Sequence, residues 1–220
     1  GTGTRLWPLS RKALPKQFQS VLSKRTMFAD AFSRALLVAG SAENIFVSCN
    51  ASHRDFVITQ APTLPTDHII SEPVLKNTGP AMCLEVAVLS TRIPEDEIIL
   101  SMPSDDYVGA EKVFAESMKE TAMVLAQNPE WIYTPCSPGD VADSGYCYVT
   151  PGDEIAVLQS GVLTTVGSWI EKPDHAQCLQ FVEDGLHAIH TGMYMYVLGT
   201  MRQLFAELHP TLTEVCDRVA

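Results

Sequence analysis

Glu97-Ile-Ile-Leu-Ser-Met-Pro-Ser-Asp-Asp-Tyr107 sets a short apolar run, Ile98 to Leu100, directly before a polar loop with two carboxylates. A run of this length, bounded by polar and proline residues, reads as a buried strand. Lys112–Gln127 follows with helical spacing of its apolar residues. The unit is therefore strand, loop, helix. In open α/β sheets ligands bind beyond the carboxyl ends of the strands, so this loop stands where a site belongs. Asp105 is well placed to hold Mg²⁺, a hard cation that prefers oxygen. Taken alone, Asp105 and Asp106 are more simply read as shaping the turn or capping the next helix.

Working outward, the same alternation recurs. The spacing predicts helices over Thr26–Val38, Ser52–Ala61 and Pro80–Thr91, and strands at Ile45–Cys49, His68–Glu72 and Trp131–Thr134. Beyond these the rhythm changes. Tyr146–Thr150 and Val162–Ile170 read as strands with little helix between them. Asp174–Glu183 reads as a helix, Ile189–Val197 as one strand, and Met201–Val219 as helix interrupted at Pro210. Alternating strand and helix predicts an α/β fold with a mostly parallel, doubly wound sheet and helices on both faces. The strand-rich middle predicts a sheet extension able to carry a second half of the ligand site.

Composition excludes several classes. With 46% hydrophobic and 19% charged residues in 220, the chain is that of an ordinary globular protein with a sizeable core. No apolar run is long enough to span a bilayer, and no signal-peptide pattern opens the chain. No membrane partner is expected. The six cysteines form no Cys-x-x-Cys pair, which argues against a zinc site or a disulfide framework and for reduced thiols in the cytoplasm. The net charge of −11 disfavours nucleic acid. The charge is uneven: residues 1–29 hold six basic side chains and no acid, leaving nine basic and 26 acidic residues in the rest. An acidic body with one basic segment suits a small anionic ligand held locally.

That basic segment carries Gly1-Thr-Gly-Thr-Arg-Leu-Trp-Pro-Leu-Ser10 and Pro15-Lys-Gln-Phe18. Glycines such as Gly1 and Gly3 let backbone N–H groups approach phosphate oxygens. Arg5 can fork onto a phosphate and Lys16 adds a point charge. Ser71-Glu-Pro-Val-Leu-Lys-Asn-Thr-Gly-Pro-Ala81 lies between a strand and a helix, where Asn77 or Thr78 can cap. Asp143-Ser-Gly-Tyr-Cys-Tyr148, Glu171-Lys-Pro173 and Thr191-Gly-Met193 follow in order. Each is weak evidence alone. No Gly-x-Gly-x-x-Gly is present, which argues against a dinucleotide enzyme.

In order and spacing these segments resemble the motifs of sugar nucleotidyltransferases, and the opening one resembles mannose-1-phosphate guanylyltransferases in particular. The resemblance implies a Rossmann-like fold of the nucleotide-diphospho-sugar transferase type. It implies a reaction of GTP with mannose 1-phosphate giving GDP-mannose and pyrophosphate, assisted by Mg²⁺, in the cytoplasm. It assigns Gly1, Gly3, Thr4, Arg5, Lys16, Asn77 and Thr78 to the nucleotide. Gly145, Tyr146, Glu171, Lys172, His190 and Thr191 go to the sugar phosphate, Asp105 to the metal, and Arg5, Lys16 and Asp105 to catalysis. The chain departs from the family pattern at Leu75, Lys76, Asp106, Cys147 and His190, where Gly, Arg, His, Gly and Asn are usual. Another sugar 1-phosphate or base, or a non-catalytic subunit that senses a nucleotide-sugar, stays open. Residues 1–220 are expected to be one catalytic domain incomplete at both ends. The first strand would lie upstream and a second metal-binding Asp beyond Ala220, with a homo-oligomer possible through regions outside this chain.

Overall fold

The computed structural model describes residues 10–11, 14–21, 23–72 and 77–220. In chain order they form α1 (Met27–Ala39), β1 (Val47–Asn50), α2 (Arg54–Gln60), β2 (Ile69–Glu72), α3 (Thr78–Ser90), β3 (Ile98–Ser101) and α4 (Glu111–Leu125). Then come β4 (Ile132–Tyr133), β5 (Cys136–Pro138), β6 (Cys147–Leu158), β7 (Gly161–Glu171), α5 (His175–Asp184), β8 (Ala188–His190), β9 (Tyr194–Val197), α6 (Leu198–Leu208) and α7 (Pro210–Val219). Two compact units result. The first holds the described residues up to Ile99 together with Pro103–Trp131 and Tyr196–Ala220; the second holds Leu100–Met102 and Ile132–Met195.

In the first unit β1 and β2 pair in parallel, Val47 opposite Ile69. Helix α1 starts where the Thr26 hydroxyl accepts from Ala29 N–H at 3.1 Å and stops at Gly40, whose φ of 75° only glycine adopts freely. Its Phe28 and Phe32 join Phe18, Ile45, Val57, Leu64 and Ile69 in one apolar core. Phe18 stacks on Phe56 at 4.9 Å and meets Phe28 at 5.4 Å, which anchors the Lys16–Phe18 turn. Helix α3 has seven buried residues distributed around it, and it packs against β2, α6 and α7. A helix apolar on nearly every side belongs inside a layered fold.

In the second unit four strands pair in the order β5-β8-β6-β7, every neighbour antiparallel. The α/β class predicted from the alternation is borne out. The strand-rich middle forms a separate four-stranded sheet rather than an extension of another, with β6 and β7 joined as an antiparallel hairpin. Tyr148 and Ile189 face α5, where they pack with Cys178 and Phe181. Helix α5 opens with a reciprocal capping box between Asp174 and Gln177. A further three strands pair in the order β3-β9-β4.

Periodicity set most boundaries to within two or three residues. One strand expected over Ile189–Val197 is two, because Gly192 takes a φ of 78° and turns the chain between β8 and β9. Pro210 divides the last helical stretch as expected, and sits in the first turn of α7 where its missing N–H costs nothing.

Candidate active site

The loop after β3 carries Asp105, and the turn anchored by Phe18 carries Lys16. These two side chains form an ion pair, Lys16 Nζ to Asp105 Oδ2, with 29% and 30% of each side chain exposed. Residues 89 positions apart, chosen separately from sequence, therefore meet in the first unit. The adjacent Asp106 is more enclosed. Burial pushes its carboxyl up to about 6, Asp105 adds to this, and Arg34 and Lys16 oppose it. Asp106 Oδ2 is buried and has no hydrogen-bond partner among the described residues. No group of three or more His, Cys, Asp or Glu side chains among the described residues is arranged to hold a metal.

Asn77 occupies the N-cap position of α3, but its side chain makes no capping hydrogen bond, and both Asn77 and Thr78 are exposed. The simple capping role read from sequence is thus not what Asn77 does here. Its φ is 69°, and Lys172, at 46°, is the other non-glycine residue with positive φ among the described residues. Backbone held in that region costs of order 1–3 kcal/mol and collects at functional sites. Both residues fall in segments assigned to ligand. Gly1, Gly3, Thr4 and Arg5 lie outside the described residues, as do Leu75 and Lys76.

In the second unit one sheet face gathers two of the remaining candidates, Glu171 and His190. Directly paired residues project to the same side. Tyr148 and Ile189 share the face covered by α5, so Cys147 and His190, one position along, share the opposite one. Cys147 pairs with Glu171, Val149 with Trp169, and Cys136 with His190. The His190 ring lies 4.6 Å from Trp169 and 4.9 Å from Tyr194. Its Nδ1 accepts from Gly192 N–H at 3.3 Å, so in the neutral ring the proton sits on Nε2. Burial holds the imidazole below its ordinary value, with the Met193 backbone and then Glu171 opposing. Nε2 is buried with no partner among the described residues. The result is a buried ring nitrogen beside two aromatic rings.

At the ends of these strands Lys172 N–H donates to the Tyr146 carbonyl at 3.2 Å, and Lys172 Nζ meets Glu171 Oε1 at 3.0 Å. Gly145 N–H donates to Asp143 Oδ1 at 2.7 Å. The Thr191 hydroxyl is already committed, donating to Pro135 O at 2.7 Å. Burial pushes Cys147 up to about 11, so this thiol stays neutral at ordinary pH.

Sequence reasoning missed Tyr148 and Arg34. The buried Tyr148 hydroxyl donates to Val141 O at 2.6 Å and accepts from Asp143 N–H at 3.0 Å, fixing the Gly145–Tyr146 loop. Arg34 is only 1% exposed and donates from Nη2 to Asp106 O at 3.2 Å. Its signal was a charge three residues after Ala31 on the apolar stripe of α1.

Solved structures share this fold. One described as mannose-1-phosphate geranyltransferase from Thermus thermophilus superposes with a TM-score of 0.84 at 23% identity, covering all of this chain and 61% of that one. One described as mannose-6-phosphate isomerase from Helicobacter pylori gives 0.75 at 20% identity, covering 94% of this chain and 75% of its own. Both likenesses speak to the fold alone. A family model of nucleotidyl transferases matches residues 1–220, and the chain belongs to that family. Alginate biosynthesis protein AlgA of Pseudomonas syringae pv. tomato is 32% identical over 218 residues, 98% of this chain and 44% of that protein. Mannose-1-phosphate guanylyltransferase of Escherichia coli K12 is 30% identical over 221 residues, 99% of this chain and 45% of the relative. The chain spans less than half the length of these relatives.

Proposed function

We propose that this chain transfers GMP from GTP to mannose 1-phosphate, giving GDP-mannose and pyrophosphate. The observation that carries the reading is the meeting of Lys16 with Asp105 beyond β3. A phosphate-binding cation and a hard-cation ligand belong together at a triphosphate. Relatives named mannose-1-phosphate guanylyltransferase support the choice of base and sugar. An oxygen of the sugar phosphate attacks the α-phosphorus, the bond to the bridging β-phosphate oxygen breaks, and pyrophosphate leaves. No protein nucleophile is required. Positioning and charge neutralisation do the work.

Mg²⁺ is commonly held by one or two protein carboxylates with water and substrate phosphate oxygens completing its shell. The partly open carboxylate of Asp105 fits that donor set. Such an ion would neutralise charge developing on the phosphate oxygens. Lys16 leaves Asp105 for the triphosphate, and Arg5 joins it there. Asn77 and Thr78, at the exposed start of α3, are assigned to the nucleotide. In the second unit His190 Nε2–H donates to a sugar oxygen, Glu171 accepts from a hydroxyl, and Lys172 meets the sugar's phosphate. We place the reaction in the cytoplasm, where the six free thiols would stay reduced.

The test is pyrophosphate release by the protein with mannose 1-phosphate, Mg²⁺ and each nucleoside triphosphate in turn. Release with GTP above the others is the expected result. Release with another nucleotide would move the base and keep the chemistry. Binding of GDP-mannose with no release from any mixture would replace the enzyme by a sensing subunit.

A further inference from the structure

We propose that Arg34 is a positioning residue that clamps the backbone of the Asp105–Asp106 loop and so sets where Asp105 stands. The inference rests on the reading of Asp105 given above. Arg34 belongs to α1, yet its guanidinium reaches two other elements. Nη2 donates to the main-chain carbonyl of Asp106, and the guanidinium carbon lies 5.9 Å from the centre of the Phe114 ring, in the first turn of α4. Helix, loop and helix are thereby tied through one side chain.

An enclosed guanidinium is an expensive way to join two helices, since an apolar residue of similar volume would pack there at lower cost. Burial makes the Arg34 charge harder to hold, and Glu111, Asp106 and Asp30 offset this in that order. The charge is therefore tolerated by acids arranged around it. What the arginine adds over a leucine is direction. Its hydrogen bond goes to a peptide carbonyl, and neither Arg34 Nε nor Asp106 Oδ2 has a hydrogen-bond partner among the described residues. The main chain, rather than the Asp106 carboxylate, is what is gripped. One residue back along that chain, Asp105 meets Lys16. A cleft lined by Arg25, Asp30, Arg34, Asp106, Tyr107 and Glu111 borders the loop.

The experiment compares Arg34→Met, Arg34→Lys and the unaltered protein by hydrogen–deuterium exchange over residues 102–110, beside steady-state pyrophosphate release. Arg34→Met should raise exchange in that loop while the rest of the first unit keeps its protection. It should lower kcat on the order of 10- to 100-fold, the scale expected for a misplaced catalytic group. KM for the sugar phosphate should be unchanged, and Arg34→Lys should fall between. Unchanged loop exchange in Arg34→Met overturns the proposal, as does raised exchange with kcat intact in an otherwise active protein. If Arg34→Met does not fold, Arg34→Lys and Phe114→Leu carry the same comparison. Raised loop exchange in a protein whose unaltered form is inactive with every nucleotide upholds the clamp and sinks the proposed reaction instead.

Discussion

Replacing Glu85 by Gln should change how stability responds to pH. Glu85 projects from α3 among its seven buried neighbours. Around it stand Ser48 of β1 and Glu72 of β2, together with Tyr196 of β9, whose buried hydroxyl has no hydrogen-bond partner among the described residues. Burial raises the carboxyl from its ordinary 4.5 to about 7; Glu72 adds to the rise and Ser48 opposes it. The folded chain therefore keeps a proton that the unfolded chain releases. The stabilising contribution of that proton is complete below about pH 4.5 and is lost as pH rises through about 7. At 1.36 kcal/mol per tenfold change in proton affinity, the whole loss is roughly 3 kcal/mol. Glutamine has nearly the same shape and does not titrate. Urea denaturation at pH 5 should give two proteins within about 1 kcal/mol of each other. At pH 8.5 Glu85→Gln should be the more stable by up to about 3 kcal/mol. A difference that stays constant across this range, or an unaltered protein that is the more stable at pH 8.5, would refute the reasoning.

Three further outcomes are expected. Lys16→Met should lower pyrophosphate release roughly a hundredfold, about 3 kcal/mol, and in a double-mutant cycle with Asp105→Asn the losses should not add; turnover at the unaltered rate would remove Lys16 from the site. His190→Ala should raise KM for the sugar phosphate about tenfold, the worth of one well-aimed hydrogen bond, and leave KM for the nucleotide alone. Because burial keeps the imidazole below its ordinary value of 6.5, that ratio should stay flat between pH 8 and pH 6.5, and a steep rise within the window would show a charged ring instead. Tyr148→Phe should cost about 1–3 kcal/mol in chemical denaturation and speed hydrogen exchange in residues 141–146, since Val141 O and Asp143 N–H lose their partner; unchanged exchange there would mean the loop is held by other contacts.

Much of the fold was legible because it is written locally. Thr26 ahead of an apolar stripe starts α1, Asp174 three residues before Gln177 starts α5, and Pro210 opens α7. Each depends on neighbours within a turn or two, which periodicity and capping rules describe. The split at Gly192 was not legible, because a glycine inside an apolar run reads equally as strand or turn until a partner strand is in place. Neither was the antiparallel pairing of the middle strands, which depends on which edges meet.

The candidate site divides the same way. By itself the sequence determined the residue types and their order: Lys16 in a basic, proline-flanked segment, Asp105 after an apolar strand, and Glu171, Lys172 and His190 among later strands and turns. Only the tertiary structure decided that Lys16 reaches Asp105, and that the His190 ring stands beside Trp169 and Tyr194 with its tautomer set by Gly192. It also decided that Thr191 spends its hydroxyl on Pro135, that Asn77 caps nothing, and that Arg34 is turned inward onto a carbonyl. Hydrogen-bond partners and proton affinities depend on burial and on atoms brought from tens of residues away. A side chain's type is set along the chain, and its chemistry is set by what the fold packs against it.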